Sequence, residues 1–319
     1  ICSRVRSVVR PGHREKAAEG FGYIPVRPAV PLTHETLNCT ISAYGAPLAA
    51  LGGERWSEEQ LADPAPLLYF LLSGGTEHEV LRLQKERNRS SPGEPVFLLA
   101  HAGNNSLPAA LEVLARLHQE DTPGRIIFLK GPEDEAACRR IAEATHDLSV
   151  RRFLRQARIG CLGKPSDWLV ASTPHPATVA AVWGPEVVPI GMGELMETVH
   201  AIPADAVMRP RESLVEPQAH RTKPSAEDIE QAIRVYLAIK RIAQTNRLDA
   251  LTVRCFDVVR DLQTTACFAL AQLNDEAFVA GCEGDLVSTL GMLWASELLG
   301  EITWMANPAC VDEDRNTLW

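Results

Sequence analysis

The chain has 319 residues, 45% of them hydrophobic, and its 32 Lys and Arg against 41 Asp and Glu give a net charge of −9. That length allows more than one hydrophobic core and points to two domains, and no apolar run reaches the roughly 18 residues needed to cross a bilayer. The acidic balance argues against a nucleic-acid partner, and the basic residues Arg4, Arg6, Arg10, His13, Arg14 and Lys16 read as a solvated terminus.

Leu67 to Leu72 is a continuous apolar run that stops at Ser73-Gly74-Gly75-Thr76, the pattern of a buried strand followed by a turn, and Glu77 to Arg87 follows as a helix. Val96 to Ala100 repeats the pattern, breaking at His101-Ala102-Gly103-Asn104-Asn105-Ser106. The helix predicted next, over 107–119, carries Leu111, Leu114, Ala115 and Leu117 as a buried stripe. Arg125 to Lys130 is a third strand, ended by Gly131-Pro132 and followed by a helix over 133–144. Such alternation predicts a parallel sheet with right-handed crossovers. Short strands at 158–160, 168–172 and 187–190 form a second unit, with the boundary near 150, and the two units make an N-terminal region over 1–200.

Residues 201–224 carry Pro203, Pro210, Pro217 and Pro224 among charges and are expected to be a linker. Ser225-Ala226-Glu227-Asp228 then has the form of a helix start, with Ile229, Ala232, Ile233, Tyr236 and Leu237 at helical spacing. A strand over 250–253, a helix over 262–273, a strand over 277–281 and a helix over 285–299 complete a further α/β unit, with Gly300 as its stop. This region, 225–319, is expected to be the start of a C-terminal domain that is cut short, because the chain begins at Ile1 and ends at Trp319 inside a predicted strand.

Nucleotide and triad chemistries find no support. Neither Ser73-Gly74-Gly75-Thr76 nor Gly191-Met192-Gly193 completes a three-glycine fingerprint, no phosphate-binding Lys follows, and no nucleophile elbow exists. Eight cysteines, at 2, 39, 138, 161, 255, 267, 282 and 310, show no CxxC and no regular spacing, which speaks for free thiols in a reducing cytoplasm.

The most informative segment is Phe278 to Asp285. A short apolar strand ends there in Glu283-Gly284-Asp285, just where an apolar helix begins. On extended backbone Glu283 and Asp285 point the same way, and Gly284 leaves room for a close approach. Asp285 can equally cap the helix that follows. Glu283, in apolar surroundings, needs a partner, a metal or a proton.

The stretch Ala280 to Gly300, with Ile302 to Pro308 and Val311 to Leu318, resembles the C-terminal half of the L-fucose/L-arabinose isomerase-like family. Asp249 to Phe256, Ser73 to Glu77 and Arg158 to Gly160 match it more weakly. The resemblance implies an α/β fold, with Rossmann-like parallel-sheet N-terminal layers followed by an isomerase-like catalytic domain. It also implies a divalent ion of the manganese type held by a Glu, by an Asp at the end of the next strand, and by a His much later. Glu283 takes the first place, and the second falls at Asn307, since 307 − 283 = 24 is the family separation. Asn307 brings no charge and cannot act as a base. No His follows His220, so the third ligand is expected beyond Trp319.

The implied activity is aldose–ketose isomerisation of a small-molecule sugar, with a proton moved between adjacent carbons through an enediol and the metal as Lewis acid. Glu283 would ligate and act as base, and Asp257 would share the proton work or cap a turn. Cys255, Phe256 and Asp285 would contact the sugar, together with Gly75, Thr76 and Asn104, whose first reading is as ordinary turn residues. A cytoplasmic homo-oligomer with its active site near a subunit interface is implied as well. The alternative is a non-catalytic or regulatory sugar-binding protein that keeps the fold.

Overall fold

The computed structural model describes residues 20–28, 33–208 and 224–318; the basic terminal cluster and residues 209–223 of the expected linker lie outside them. The fold is α/β with parallel sheets, in two units divided between residues 151 and 152.

The first unit comprises β1 (Phe21–Val26), α1 (His34–Ala50), β2 (Gly53–Arg55), β3 (Leu67–Leu71), α2 (Glu77–Ser90), β4 (Val96–His101), α3 (Ser106–Gln119), β5 (Gly124–Leu129) and α4 (Glu135–Gln156), the last running past the division. Its strands pair in the order β2-β1-β3-β4-β5, all parallel. This is the doubly wound order in which the chain reverses direction between β1 and β3. Helices cover both faces, so β3 is apolar throughout rather than alternating. Leu68 and Phe70 pack with Leu37, Ile41 and Leu48 of α1 and Ile141 and Leu148 of α4. Tyr69 and Leu71 pack on the opposite side with Val80 and Leu83 of α2 and Val113 and Leu117 of α3. Each fully buried Leu or Phe here contributes roughly 1.5–3 kcal/mol. The buried stripe of α3 is Ser106, Ala109, Ala110, Val113 and Leu117, while Leu111 is 54% exposed. The sequence reading of that stripe was right at Leu117 and wrong in phase at Leu111 and Ala115, which are exposed, because Ala109, Ala110 and Val113 meet the sheet instead.

A buried cation anchors the edge of this unit. Arg87 reaches Glu94 at 2.8 Å and donates to the carbonyls of Leu61, Asp63 and Ala65, so the guanidinium ties the loop after β2 to α2.

The second unit contains β6 (Arg158–Leu162), α5 (Pro176–Val182), β7 (Glu186–Ile190), α6 (Met192–His200), α7 (Ala226–Thr245), β8 (Ala250–Val253), α8 (Cys255–Leu262), α9 (Cys267–Asp275), β9 (Val279–Cys282), α10 (Leu286–Leu299) and a hairpin of β10 (Val311–Asp312) and β11 (Thr317–Leu318). Its main sheet runs β7-β6-β8-β9, again all parallel. Strands from before and after residues 201–224 are therefore neighbours, β6 beside β8, and the expected domain boundary at 201–224 falls inside this unit. Proline content marks a turn-rich stretch but says nothing about which strands pair across it. The start of α7 follows its sequence signal: Asp228 N–H donates to Ser225 Oγ at 3.1 Å and Ser225 N–H returns to Asp228 Oδ2 at 2.8 Å. Its buried face, Ile233, Tyr236 and Ile239, packs with Leu195 of α6, Leu270 of α9 and Leu251 of β8.

Two elements differ from the sequence reading. Residues 168–172 form turns and bends instead of a strand, with Val170 88% exposed. The helix expected over 262–273 begins only at Cys267, as α9; the residues before it follow Gln263, whose φ of +54° ends α8 in the left-handed region, and α8 itself was not read from the sequence. Among the described residues no helix is long and apolar enough to cross a membrane.

Candidate functional site

In a 2-1-3-4 parallel sheet the crevice for ligands opens at the carboxyl ends of the first and third strands, where the connections diverge. In the second unit these are β6 and β8, with β9 next to β8. Three turns meet there: Gly163 to Trp168 after β6, Arg254 to Asp257 after β8, and Glu283 to Asp285 after β9. Main-chain bonds hold them in register, from Arg254 N–H to Leu162 O, Gly284 N–H to Val253 O and Ser166 N–H to Glu283 O, all 2.9–3.0 Å.

Glu283 has φ +64° and Gly284 φ +70°, so β9 ends in two successive left-handed residues that swing the Glu283 side chain out of the strand direction. A Cβ at Gly284 would lie 2.8 Å from Lys164 O and from Pro165 Cα, so the turn after β6 closes directly on it. This fixes the carboxylate at the sheet edge, half-buried, where Oε2 accepts the indole N–H of Trp168 at 2.6 Å. Trp168 and Phe256 meet edge to face at 5.0 Å, and both rings are more than half exposed.

Arg254 lies behind this aromatic pair. Its guanidinium contacts Asp167 at 3.0 Å and Asp257 at 3.2 Å and donates to Pro165 O at 2.5 Å. The hydrogen bond from Arg254 holds the Asp167 carboxyl below its usual range. Asp257 also meets Arg260 at 3.2 Å, so this carboxylate, expected to share proton work, is committed to two guanidinium groups.

Cys255 opens α8 and Cys282 closes β9, and the Cys282 thiol donates to Cys255 Sγ at 3.0 Å. That hydrogen bond, reinforced by the backbone N–H of Glu283, draws the Cys255 thiol down to about 6, while the same contact and burial push the Cys282 thiol up. Cys282 N–H in turn meets the thioether of Met305 at 3.2 Å.

Asp285 serves as the cap of α10. Its Oδ1 accepts from Ser288 N–H at 2.8 Å and its Oδ2 from Ser288 Oγ at 2.7 Å, so both carboxylate oxygens are taken up by the helix start. Asn307 lies in the extended stretch before β10, exposed, and no hydrogen bond joins it to Glu283 among the described residues. Nor do three His, Cys, Asp or Glu side chains gather among the described residues where one ion could reach them. With Glu283 turned to an indole donor and no second carboxylate beside it, the described donor set does not fit the manganese-type ion that the resemblance implies.

Gly75, Thr76 and Asn104 belong to the first unit. Thr76 is fully buried and its hydroxyl donates to Ser73 O at 2.9 Å, while Asn104, exposed at φ +54°, gives its carbonyl to Gly74 N–H at 2.8 Å. The two loops are thus bonded to each other at the carboxyl edge of β3 and β4. His101 completes the link: Nε2 meets Leu72 O at 3.1 Å and Nδ1 accepts Gly103 N–H at 3.1 Å.

Sequence reasoning located Glu283, Cys255, Phe256 and Asp257 at one sheet edge but missed Trp168, Asp167 and Arg254. Trp168 was hidden because its apolar run imitates a strand. Arg254, flanked by the strand and Cys255-Phe256-Asp257, carried a usable signal, since a cation directly after a buried strand needs nearby carboxylates.

No protein-family model matches the chain. It is similar to the curated sulfoquinovose isomerase of Clostridium sp. (strain MSTE9), 24% identical over 226 residues that cover 70% of this chain and 51% of that protein. The sulfoquinovose isomerases of Priestia aryabhattai and Priestia megaterium are likewise 24% identical over 230 residues, 72% of this chain and 50% of theirs. The chain spans about half the length of the curated relatives it matches.

Proposed function

We propose that the chain belongs to a sugar aldose–ketose isomerase, with the carboxyl edge of β6, β8 and β9 as its active site. One observation carries the reading: Glu283 stands at the carboxyl edge beside the switch point on a left-handed turn, with Oε2 fixed by the Trp168 indole N–H and exposed aromatic rings beside it. The likeness to sulfoquinovose isomerases supports the same class, as does the resemblance of residues 280–318 to the L-fucose/L-arabinose isomerase-like family.

Isomerisation needs a base that takes a proton from the carbon beside the carbonyl and returns it to the neighbouring carbon. Glu283 fills that role, because a carboxylate held by one donor keeps Oε1 for the substrate and cannot swing away. Apolar ring faces suit the C–H surface of a sugar, which makes Trp168 and Phe256 the floor on which it lies. Arg254 orients the turn after β6 through Asp167 and Pro165 O and thereby places Trp168; already paired with two carboxylates, it offers little net charge to an anionic sugar group. A homo-oligomer is proposed with this function, and light scattering above the monomer mass of 34.9 kDa is the measurement for it.

The test is proton NMR in deuterated water with sulfoquinovose, L-fucose and L-arabinose as substrates. Interconversion of at least one, with deuterium entering at carbon 1 of the ketose formed and at carbon 2 of the aldose on return, is the expected result, and Glu283→Gln should slow it by about 10²–10⁴-fold, the usual range for removing a general base. A Glu283→Gln variant as fast as the wild type overturns the assignment of the base. The exposed Asn307, unconnected to Glu283, favours a second reading, a sugar-binding protein without turnover; calorimetric binding of a sugar that shows neither interconversion nor deuterium uptake establishes it.

A further inference from the structure

The cysteines beside Glu283 form a pair of a kind that the other described thiols do not. Cys255 and Cys282 stand at the ends of neighbouring strands, Val253 of β8 being in register with Cys282 of β9, and their sulfurs are 3.0 Å apart. A disulfide needs about 2.05 Å, so the bond requires a movement of only about 1 Å. The backbone of Cys282 is held while the sulfurs face each other: its carbonyl accepts from Thr252 Oγ1 at 3.2 Å and its N–H contacts the Met305 thioether. Cys255 is 7% exposed and Cys282 is half-buried, which shields the pair from bulky reagents and leaves a path for small ones.

We propose that Cys255 and Cys282 are a reversible oxidation site, closed to a disulfide by a small hydroperoxide and coupled to the conformation of Glu283. One sulfur attacks a peroxide oxygen, the O–O bond breaks, and a sulfenic acid and one water form from hydrogen peroxide. The second thiol then attacks that sulfur, the S–O bond breaks, and a second water leaves. Two thiol hydrogens and two electrons pass to the peroxide, and a dithiol reductant reverses the change. Coupling follows from position. Glu283 is the residue directly after Cys282, held at φ +64°, and its carbonyl accepts from Ser166 N–H at 2.9 Å. Drawing the sulfurs together pulls the end of β9 toward α8 and with it the turn that sets the Glu283 side chain.

The effect on catalysis rests on the isomerase reading; the bond itself does not, and the experiment separates them. Whole chain is treated with hydrogen peroxide, free thiols are blocked with iodoacetamide, and peptides are mapped by mass spectrometry with and without dithiothreitol. The expected result is a linked pair of peptides containing Cys255 and Cys282, two hydrogens lighter than the sum and separated by dithiothreitol. Two alkylated cysteines after oxidation, a link to a different cysteine, or sulfinic acid at either position without a link overturns the site. Because the wild-type chain reports this directly, the outcome does not depend on a variant folding. Deuterium uptake by the sugar is then compared in the oxidised and reduced chains. A fall of tenfold or more that dithiothreitol restores, and that is absent in Cys282→Ser, supports the coupling; an oxidised, linked protein with unchanged turnover overturns it. If the reduced chain turns over no sugar while the link still forms, the isomerase reading and the coupling fail and the oxidation site stands.

Discussion

Gly281 sits in β9 two residues before Glu283, and replacing it with Ala tests how the site is held against α10. A Cβ built there would lie 2.0 Å from Thr289 Oγ1, 3.2 Å from Thr289 Cβ and 3.5 Å from Thr252 Oγ1. Thr289 is fully buried, and its hydroxyl donates to Asp285 O at 2.7 Å, so it has no free direction in which to turn. Forcing a methyl group into a packed interior costs about 1–3 kcal/mol, against which Ala gains about 0.4–1 kcal/mol over Gly by restricting the unfolded chain. Thr289→Ala removes the oxygen at 2.0 Å and leaves the 3.2 Å contact, at a cost of about 1 kcal/mol for a lost methyl and a weak back-bond to a helix carbonyl. The structure therefore requires strong coupling: Gly281→Ala loses about 1–2 kcal/mol, and the double variant is no less stable than Gly281→Ala alone. Urea unfolding followed by tryptophan emission reads this well, because among the described residues Trp168, Trp183, Trp294 and Trp304 belong to the second unit and Trp56 to the first. With a slope of about 2 kcal/mol per molar urea, the midpoint should fall by roughly 0.5–1 M. A Gly281→Ala midpoint equal to that of the wild type, or losses that simply add in the double variant, refutes the packing argument.

The first unit offers two further tests. Burial holds the His101 imidazole below its ordinary value, whereas the unfolded chain titrates near 6.5; as pH falls below about 6.5 the unfolded state takes up the proton first, so stability is full above that pH and declines beneath it. Thermal melting between pH 7.5 and 5.5 should show a steeper decline in the wild type than in His101→Asn, and parallel curves would remove the buried imidazole as the cause. Arg87→Met takes the guanidinium from Glu94 and from three carbonyls at once and should cost about 3–5 kcal/mol, the usual loss when one partner of a buried pair is removed. The double variant Arg87→Met, Glu94→Gln should recover part of that in the same melting assay, and a single variant within 1 kcal/mol of the wild type, on the scale of an exposed pair, would show the clamp to be idle.

Much of the fold could be read from local pattern, because the elements that carry it obey local rules. The runs at β3, β4 and β5 are apolar because both faces of that sheet are covered, and their Gly, Pro and Asn ends mark the turns. Ser225 with Asp228, and Asp285 with Ser288, state their helix starts in the sequence and make the bonds they promise. What could not be read is pairing between distant segments. Nothing near Pro203 or Pro224 reveals that β6 will lie beside β8, since that contact is decided by which strand ends fit after the intervening helices have packed. β1 was missed for the opposite reason: Pro25 stands inside it and counts against a strand in any local rule, although its register partner Phe70 shows that the chain continues straight through.

The candidate site divides along the same line. Glu283 is visible because an acidic residue at the end of an apolar strand is out of place, and that conflict needs no knowledge of the rest of the chain. Trp168 is invisible because it lies 115 residues away and its neighbours Leu169, Val170 and Ala171 read as core. In the fold this apolar run stays at the surface, held there by Arg254 through Pro165 O and Asp167, so that the indole can donate to Glu283. Exposed apolar side chains next to a strained carboxylate turn oppose what hydrophobic burial alone would produce, and the chain retains them with three charged groups and two left-handed residues. Local rules fail where a site spends stability on geometry. The misread strand at 168–172 shows the same conflict: a sequence that would be expected to bury its tryptophan instead fixes it by its N–H to Glu283 and leaves its ring more than half exposed.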